Sequence, residues 1–160
     1  LIIMTDEERA LRLAAVREAQ SWIGTRYHDS ACIKIRRGED GTIIEPGGVD
    51  CAQIVYAVYR AIDAIPEFEI PQHSPQWMLH RSEEIYLNHA LKYARPTDNP
   101  EMGDLVLYKF GRLFSHGAII DEDGWPNIIH AHQQAGIVMR SFGDQGALAG
   151  REMRFFTLWP

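Results

Sequence analysis

At Gly103 the hydrophobic period of this chain changes. Before it, apolar residues recur at three- and four-residue intervals, the spacing of one helix face. After it come Asp104–Phe110, Ser115–Asp121, Pro126–His132, Gly136–Arg140 and Met153–Leu158, each short, apolar-rich and bounded by turn residues. Helices first and hairpin-linked strands afterwards predict an α+β domain, with helices packed on an antiparallel sheet of about five strands. A chain of 160 residues, 46% of them apolar, holds enough material for one core. Residues 1–160 therefore read as a single domain.

Thr5-Asp6-Glu7-Glu8 reads as a capping box, with Thr5 and Glu8 each bonding the other's backbone N–H. Leu11, Ala15, Ala19, Trp22 and Ile23 form the apolar face that follows, and Gly24 ends the helix as a left-handed cap. Residues 28–47 lose this period. They predict a short hairpin of Cys32–Ile35 with Thr42–Ile44, turning through residues 36–41. Asp50 then N-caps a second helix. Its polar residues, Gln53, Tyr56, Arg60 and Asp63, form one narrow stripe, so it is the central buried helix, with Cys51 in its first turn. Ser74-Pro75 opens a third helix, whose face includes Met78, Leu79, Ile85, Tyr86, Ala90 and Tyr93 and whose His80 and His89 are solvated. Arg95–Pro100 reads as a loop.

Composition excludes several function classes. Sixteen basic against 22 acidic residues give a net charge of −6, with no basic run to grip a nucleic-acid backbone. No apolar stretch approaches the roughly 18 residues a membrane helix needs. Two cysteines, Cys32 and Cys51, do not make a disulfide scaffold. Residues 1–3 are too short for a signal peptide's apolar core, and Met4-Thr5 reads as a native start preceded by an extension. The chain is thus expected to carry no export signal and to be cytoplasmic when made.

Cys51 is the sharpest chemical signal. A thiol in a helix's first turn feels the positive end of the macrodipole, which favours thiolate. Gly47 and Gly48 just ahead of it let a substrate backbone approach. A nucleophilic thiol needs a base, and two of the seven histidines are linked by a hairpin argument. If the three-residue turn Glu122-Asp123-Gly124 joins the flanking strands, Asp121 pairs with Trp125 and His116 with His130. Opposed residues share a face, with Cβ atoms about 4.5–5.5 Å apart, so one imidazole can orient the other. Two other readings stand beside this one. The histidines can be unrelated strand residues, or His130 and His132 can join Cys51 or Asp121 as zinc ligands. Cys32 has no adjacent base and reads as structural. Tyr27, taken alone, reads as an aromatic plug between helix and sheet.

Taken in order, five motifs resemble those of the NlpC-type cell-wall cysteine peptidases. They are Trp22-Ile23-Gly24-Thr25-Arg26-Tyr27, Gly48-Val49-Asp50-Cys51, Gly103 to Tyr108, Ser115 to Ile120, and Ile129-His130-Ala131. The resemblance runs from about Val16 to Arg140 and implies a papain-like α+β fold. It implies hydrolysis of an amide in bacterial peptidoglycan stem peptides, typically between D-glutamate and a diamino acid. It makes Cys51 the nucleophile, His116 the base and His130 the residue that orients it. Tyr27, Asp50 and Ser115 match positions where substrate contacts are expected. No cofactor or metal is implied. Ala52-Gln53 stand where the family usually has Ser-Gly, Met102 replaces a common proline, and residues 28–47 are an inserted loop that reshapes the groove. The compact form is similar to phage-tail and prophage members. That implies tail proteins as partners and delivery to the wall as part of a virion. The alternatives are a tail assembly protein that keeps the fold without hydrolysis, and a zinc-binding module.

Overall fold

The computed structural model describes residues 3–29, 31–67 and 87–160. Helix α1 spans Asp6–Ser21, and the Thr5 hydroxyl accepts the Glu8 N–H at 3.1 Å. Only half of the expected capping box forms, because the Glu8 carboxylate turns forward to Arg12 Nε, 2.9 Å away. The buried face also differs from expectation. Leu11 is 46% exposed while Arg12 is 3% exposed. Arg12 is tolerated inside because its other nitrogens reach Asp104 Oδ1 at 2.7 Å, the Met102 carbonyl at 3.1 Å and the Thr157 hydroxyl at 3.1 Å. Past the helix, Gly24 takes the left-handed conformation, with φ of 92°.

Four short strands follow: β1 (Cys32–Ile33), β2 (Arg36–Arg37), β3 (Ile43–Glu45) and β4 (Gly48–Val49). The hairpin is shifted from its expected position. β2 pairs with β3, and β1 pairs separately with β4. Arg36 and Arg37 belong to a strand rather than the turn, and an exposed ion pair of Arg36 with Glu45 lies across it. Helix α2 spans Gln53–Ala61, and all its residues from Gln53 to Tyr59 except Tyr56 and Ala57 are buried. The predicted third helix lies largely outside the described residues, as do His73, His80 and Trp77. Residues 87–91 are helical, with Leu87 and Ala90 buried and Tyr93 beyond them 45% exposed. His89 is not solvated as expected. It is 6% exposed, its Nε2 lies 3.0 Å from the Pro66 carbonyl, and its ring sits between Tyr56 and Tyr93.

The main sheet has six strands rather than about five. β5 (Arg95–Pro96), read as loop from the sequence, pairs with the last strand. The others are β6 (Leu105–Phe110), β7 (Leu113–Ile120), β8 (Asn127–His132), β9 (Ile137–Phe142) and β10 (Met153–Thr157). The order is β5-β10-β6-β7-β8-β9 and every pairing is antiparallel. Alternation along the strands divides the core in two. Leu105, Leu107, Ile119, Ile129 and Val138 share one buried cluster with Ala15 and Ala19 of α1 and Val55 and Val58 of α2. Val106, Tyr108, Ala118 and Ile128 cluster with Leu148 on the other side.

The β7–β8 register is not the one expected. Ile119 pairs with Ile129 and Ile120 with Ile128, so Asp121 meets Asn127 across a five-residue turn. Pro126 has no N–H to donate, and pairing begins after it. The slip relative to the expected register is two residues. Side chains alternate with a period of two, so the same residues keep the same face. His116 and His130 become diagonal rather than direct neighbours.

Candidate active site

Cys51 is delivered by the buried start of α2. Asp50 Oδ1 accepts the N–H groups of Ala52 at 3.0 Å and Gln53 at 2.8 Å, and the Asp50 carbonyl accepts from Ile54. Asp50 is thus the helix cap in function, although the regular helix is counted from Gln53. It is 1% exposed and lies behind the cleft wall, not on it.

Strand β7 supplies the opposite side. Tyr108 pairs with His116, but Lys109 pairs with Phe114, so Ser115 is an extra residue in the strand. Such a bulge bends a strand and re-aims what it carries. At this bulge the Cys51 Sγ donates to the Ser115 carbonyl at 3.5 Å. The strand comes this close because residue 117 is glycine. A Cβ there would stand 2.9 Å from Val55 Cγ2 and 3.4 Å from the Cys51 carbonyl.

His116 Nε2 and His130 Nδ1 are 2.8 Å apart, with the rings edge to face. His130 Nε2 lies 2.7 Å from the Ser141 hydroxyl. These contacts form one chain from β7 through β8 to β9. Burial, then the charges of His132 and Arg151, pushes His116 down to about 4. Burial, then His116 and His132, pushes His130 down to about 3. Both rings are therefore neutral near pH 7, which leaves each with one donor and one acceptor nitrogen.

Cys51, Ser115, His116, His130 and Tyr27 line a single cleft of about 240 Å3. Tyr27 is held at its edge by one backbone bond, its N–H donating to the Gly136 carbonyl at 2.7 Å, and by a bridge to Val49. Of the six residues predicted for the site, the structure brings together all but Asp50. Cys32 is on β1, outside the cleft, and partial desolvation with the charge of Asp50 pushes its thiol up to about 11. Among the described residues no three of His, Cys, Asp or Glu are placed to hold a metal ion. His132 also lines the cleft, and its Nδ1 accepts from Ala135 at 3.1 Å.

Two cleft-associated residues were missed in the sequence. Ser141 falls one residue past the predicted end of β9, yet Ile128 opposite it marks the face that His130 shares. Arg151 lines the cleft because β10 pairs with β6, a neighbour no local turn signal indicates.

No family model matches the sequence, and no curated protein matches it. Solved structures do resemble the fold. The peptidoglycan hydrolase RipB from Mycobacterium tuberculosis has a TM-score of 0.59 at 19% identity, over 98% of this chain and 68% of that one. NlpC1 from Trichomonas vaginalis has a TM-score of 0.58 at 15% identity, over 98% of this chain and 45% of that one. The NlpC/p60 domain of the peptidoglycan hydrolase SagA gives 0.53 at 21% identity, over 89% of this chain and 96% of that one. The chain thus has the NlpC/p60 fold, and it spans less than half of the Trichomonas protein.

Proposed function

We propose that this protein is a cysteine peptidase or amidase that hydrolyses an amide bond in peptidoglycan stem peptides. The observation that carries the proposal is the His116–His130–Ser141 hydrogen-bond chain, which opens into the same cleft as the Cys51 thiol. The fold shared with peptidoglycan hydrolases supports the substrate class.

One proton arrangement makes the chain productive. His130 donates from Nε2 to Ser141 and accepts at Nδ1 from His116 Nε2–H. His116 Nδ1 then carries a lone pair and is the base. It takes the thiol proton as the sulfur attacks the amide carbonyl, forming a C–S bond. The positive end of α2 lies beside the sulfur and favours the developing oxyanion. His116 returns the proton to the leaving nitrogen as the C–N bond breaks. Water then attacks the thioester, passes a proton to His116, and the C–S bond breaks to restore the thiol. Burial keeps His116 neutral in the resting site, so its Nδ1 lone pair is available to take the thiol proton.

The test is mass spectrometry of fragments released from purified peptidoglycan. The wild type is expected to release peptides with a new amine and a new carboxylate terminus, and Cys51→Ala none. Identical digests from the two proteins would sink the proposal in favour of a non-hydrolytic role for the fold.

A further inference from the structure

Arg151 stands on the cleft wall with no carboxylate partner among the described residues. Its guanidinium carbon lies 3.6 Å from the centre of the Phe110 ring. Nε donates to the Ala147 carbonyl at 2.8 Å and Nη1 to the Lys109 carbonyl at 3.2 Å. Both partners are neutral. Among the described residues no carboxylate pairs with Arg151, and its neighbour Glu152 is engaged by Lys109 at 3.4 Å. The surroundings are basic on an acidic chain. Lys109 and Arg112 flank Phe110 in sequence, and Arg154 stacks on Phe114.

A guanidinium has five N–H donors in a fixed fork. The two carbonyl bonds hold its orientation and leave three N–H donors, both of those on Nη2 among them, for a carboxylate. Stacking on Phe110 fixes the plane of the fork, so little freedom is lost on binding. The anchor lines the same cleft as Cys51.

We infer that Arg151 binds an ionised carboxylate on the residue flanking the scissile amide, so the substrate is a stem peptide whose γ-linked D-glutamate keeps its α-carboxylate rather than carrying the α-carboxamide. This inference rests on the peptidase reading and narrows it. It has a consequence for the base. Arg151 is one of the charges that hold His116 down, and a bound carboxylate offsets it.

The test uses two synthetic peptides, N-acetyl-L-alanyl-γ-D-glutamyl-L-lysinamide and its D-glutamate α-carboxamide. They differ in one ionisable group. Affinities are measured by calorimetry on Cys51→Ala, which cannot turn them over. The acid should bind at least about tenfold tighter. Arg151→Gln in the same background should erase the difference, and Arg151→Lys should restore part of it. Equal affinity of the two peptides for Cys51→Ala overturns the inference without requiring any Arg151 variant to fold. A preference that survives Arg151→Gln overturns it as well. Hydrolysis of the peptides by the wild type is read separately. Binding preference without hydrolysis sinks the peptidase reading and leaves a carboxylate-binding cleft. Hydrolysis without preference sinks the role of Arg151 alone.

Discussion

His116 and His130 touch, yet the geometry gives them unequal tasks. His116 lies beside the bulge residue that contacts the thiol, whereas His130 is enclosed between His116 and Ser141. Removing the base should therefore cost more than removing the residue that orients it. His116→Ala is expected to lower kcat/KM by about 10²–10⁴-fold. His130→Ala should cost about tenfold less than that, and Ser141→Ala less again. Steady-state kinetics on a stem peptide checks the order, and a larger loss in His130→Ala would reverse the roles. The pH profile carries a second signature. His116 must be unprotonated to act, and burial holds it down to about 4. The acid limb of kcat/KM should fall near pH 4, and a limb near 6.5 would contradict a buried, neutral base. The two histidines were legible in sequence because face parity survives a two-residue error in the turn. Ser141 was lost to one residue of strand length. His89 was misplaced because periodicity marks a face but not what later packs against it.

At the scale of elements, the site depends on how closely α2 approaches β7. Helix and strand meet at Gly117, which has no side chain to hold them apart. Its φ is ordinary, so the constraint is space, not backbone conformation. Gly117→Ala should force Val55 and the start of α2 away from the strand. The expected cost is about 1–3 kcal/mol in urea denaturation, together with slower turnover as Cys51 moves off the Ser115 carbonyl. Val55→Ala removes the nearest clashing atom, so the double variant should regain part of both losses. A Gly117→Ala protein as stable and active as the wild type would show that the close approach does not matter. The glycines just ahead of Cys51 drew attention in the sequence. Gly117 did not, because its crowding comes from Val55 and Leu87, thirty or more positions earlier in the chain. The hairpin of β2 and β3 was seen but displaced, since two arginines in a strand resemble a polar turn.

For the molecule as a whole, the same burial that tunes the site sets how folding responds to acid. Above pH about 6.5 an imidazole is neutral in both the folded and the unfolded chain. As pH falls below that value the unfolded chain takes up protons. His116 and His130 in the folded chain do not, until about 4 and about 3. Stability is therefore full above 6.5 and declines through this window, by at most about 1.4 kcal/mol per pH unit for each ring. Asp104 acts in the opposite sense. Burial raises its carboxyl even with Arg12 2.7 Å away. Its contribution is present below the ordinary carboxylate value and is lost as pH rises through the folded one, so over that range it works against the histidines. Two rings are set against one carboxyl, so the histidines set the sign of the difference between pH 7 and 5. Urea denaturation is expected to show the wild type less stable at pH 5 than at pH 7. Replacing both rings, in His116→Gln/His130→Gln, should flatten that dependence whatever it does to stability at pH 7. An equal loss in the double variant would place the acid sensitivity elsewhere and remove the argument that these rings are held neutral by burial.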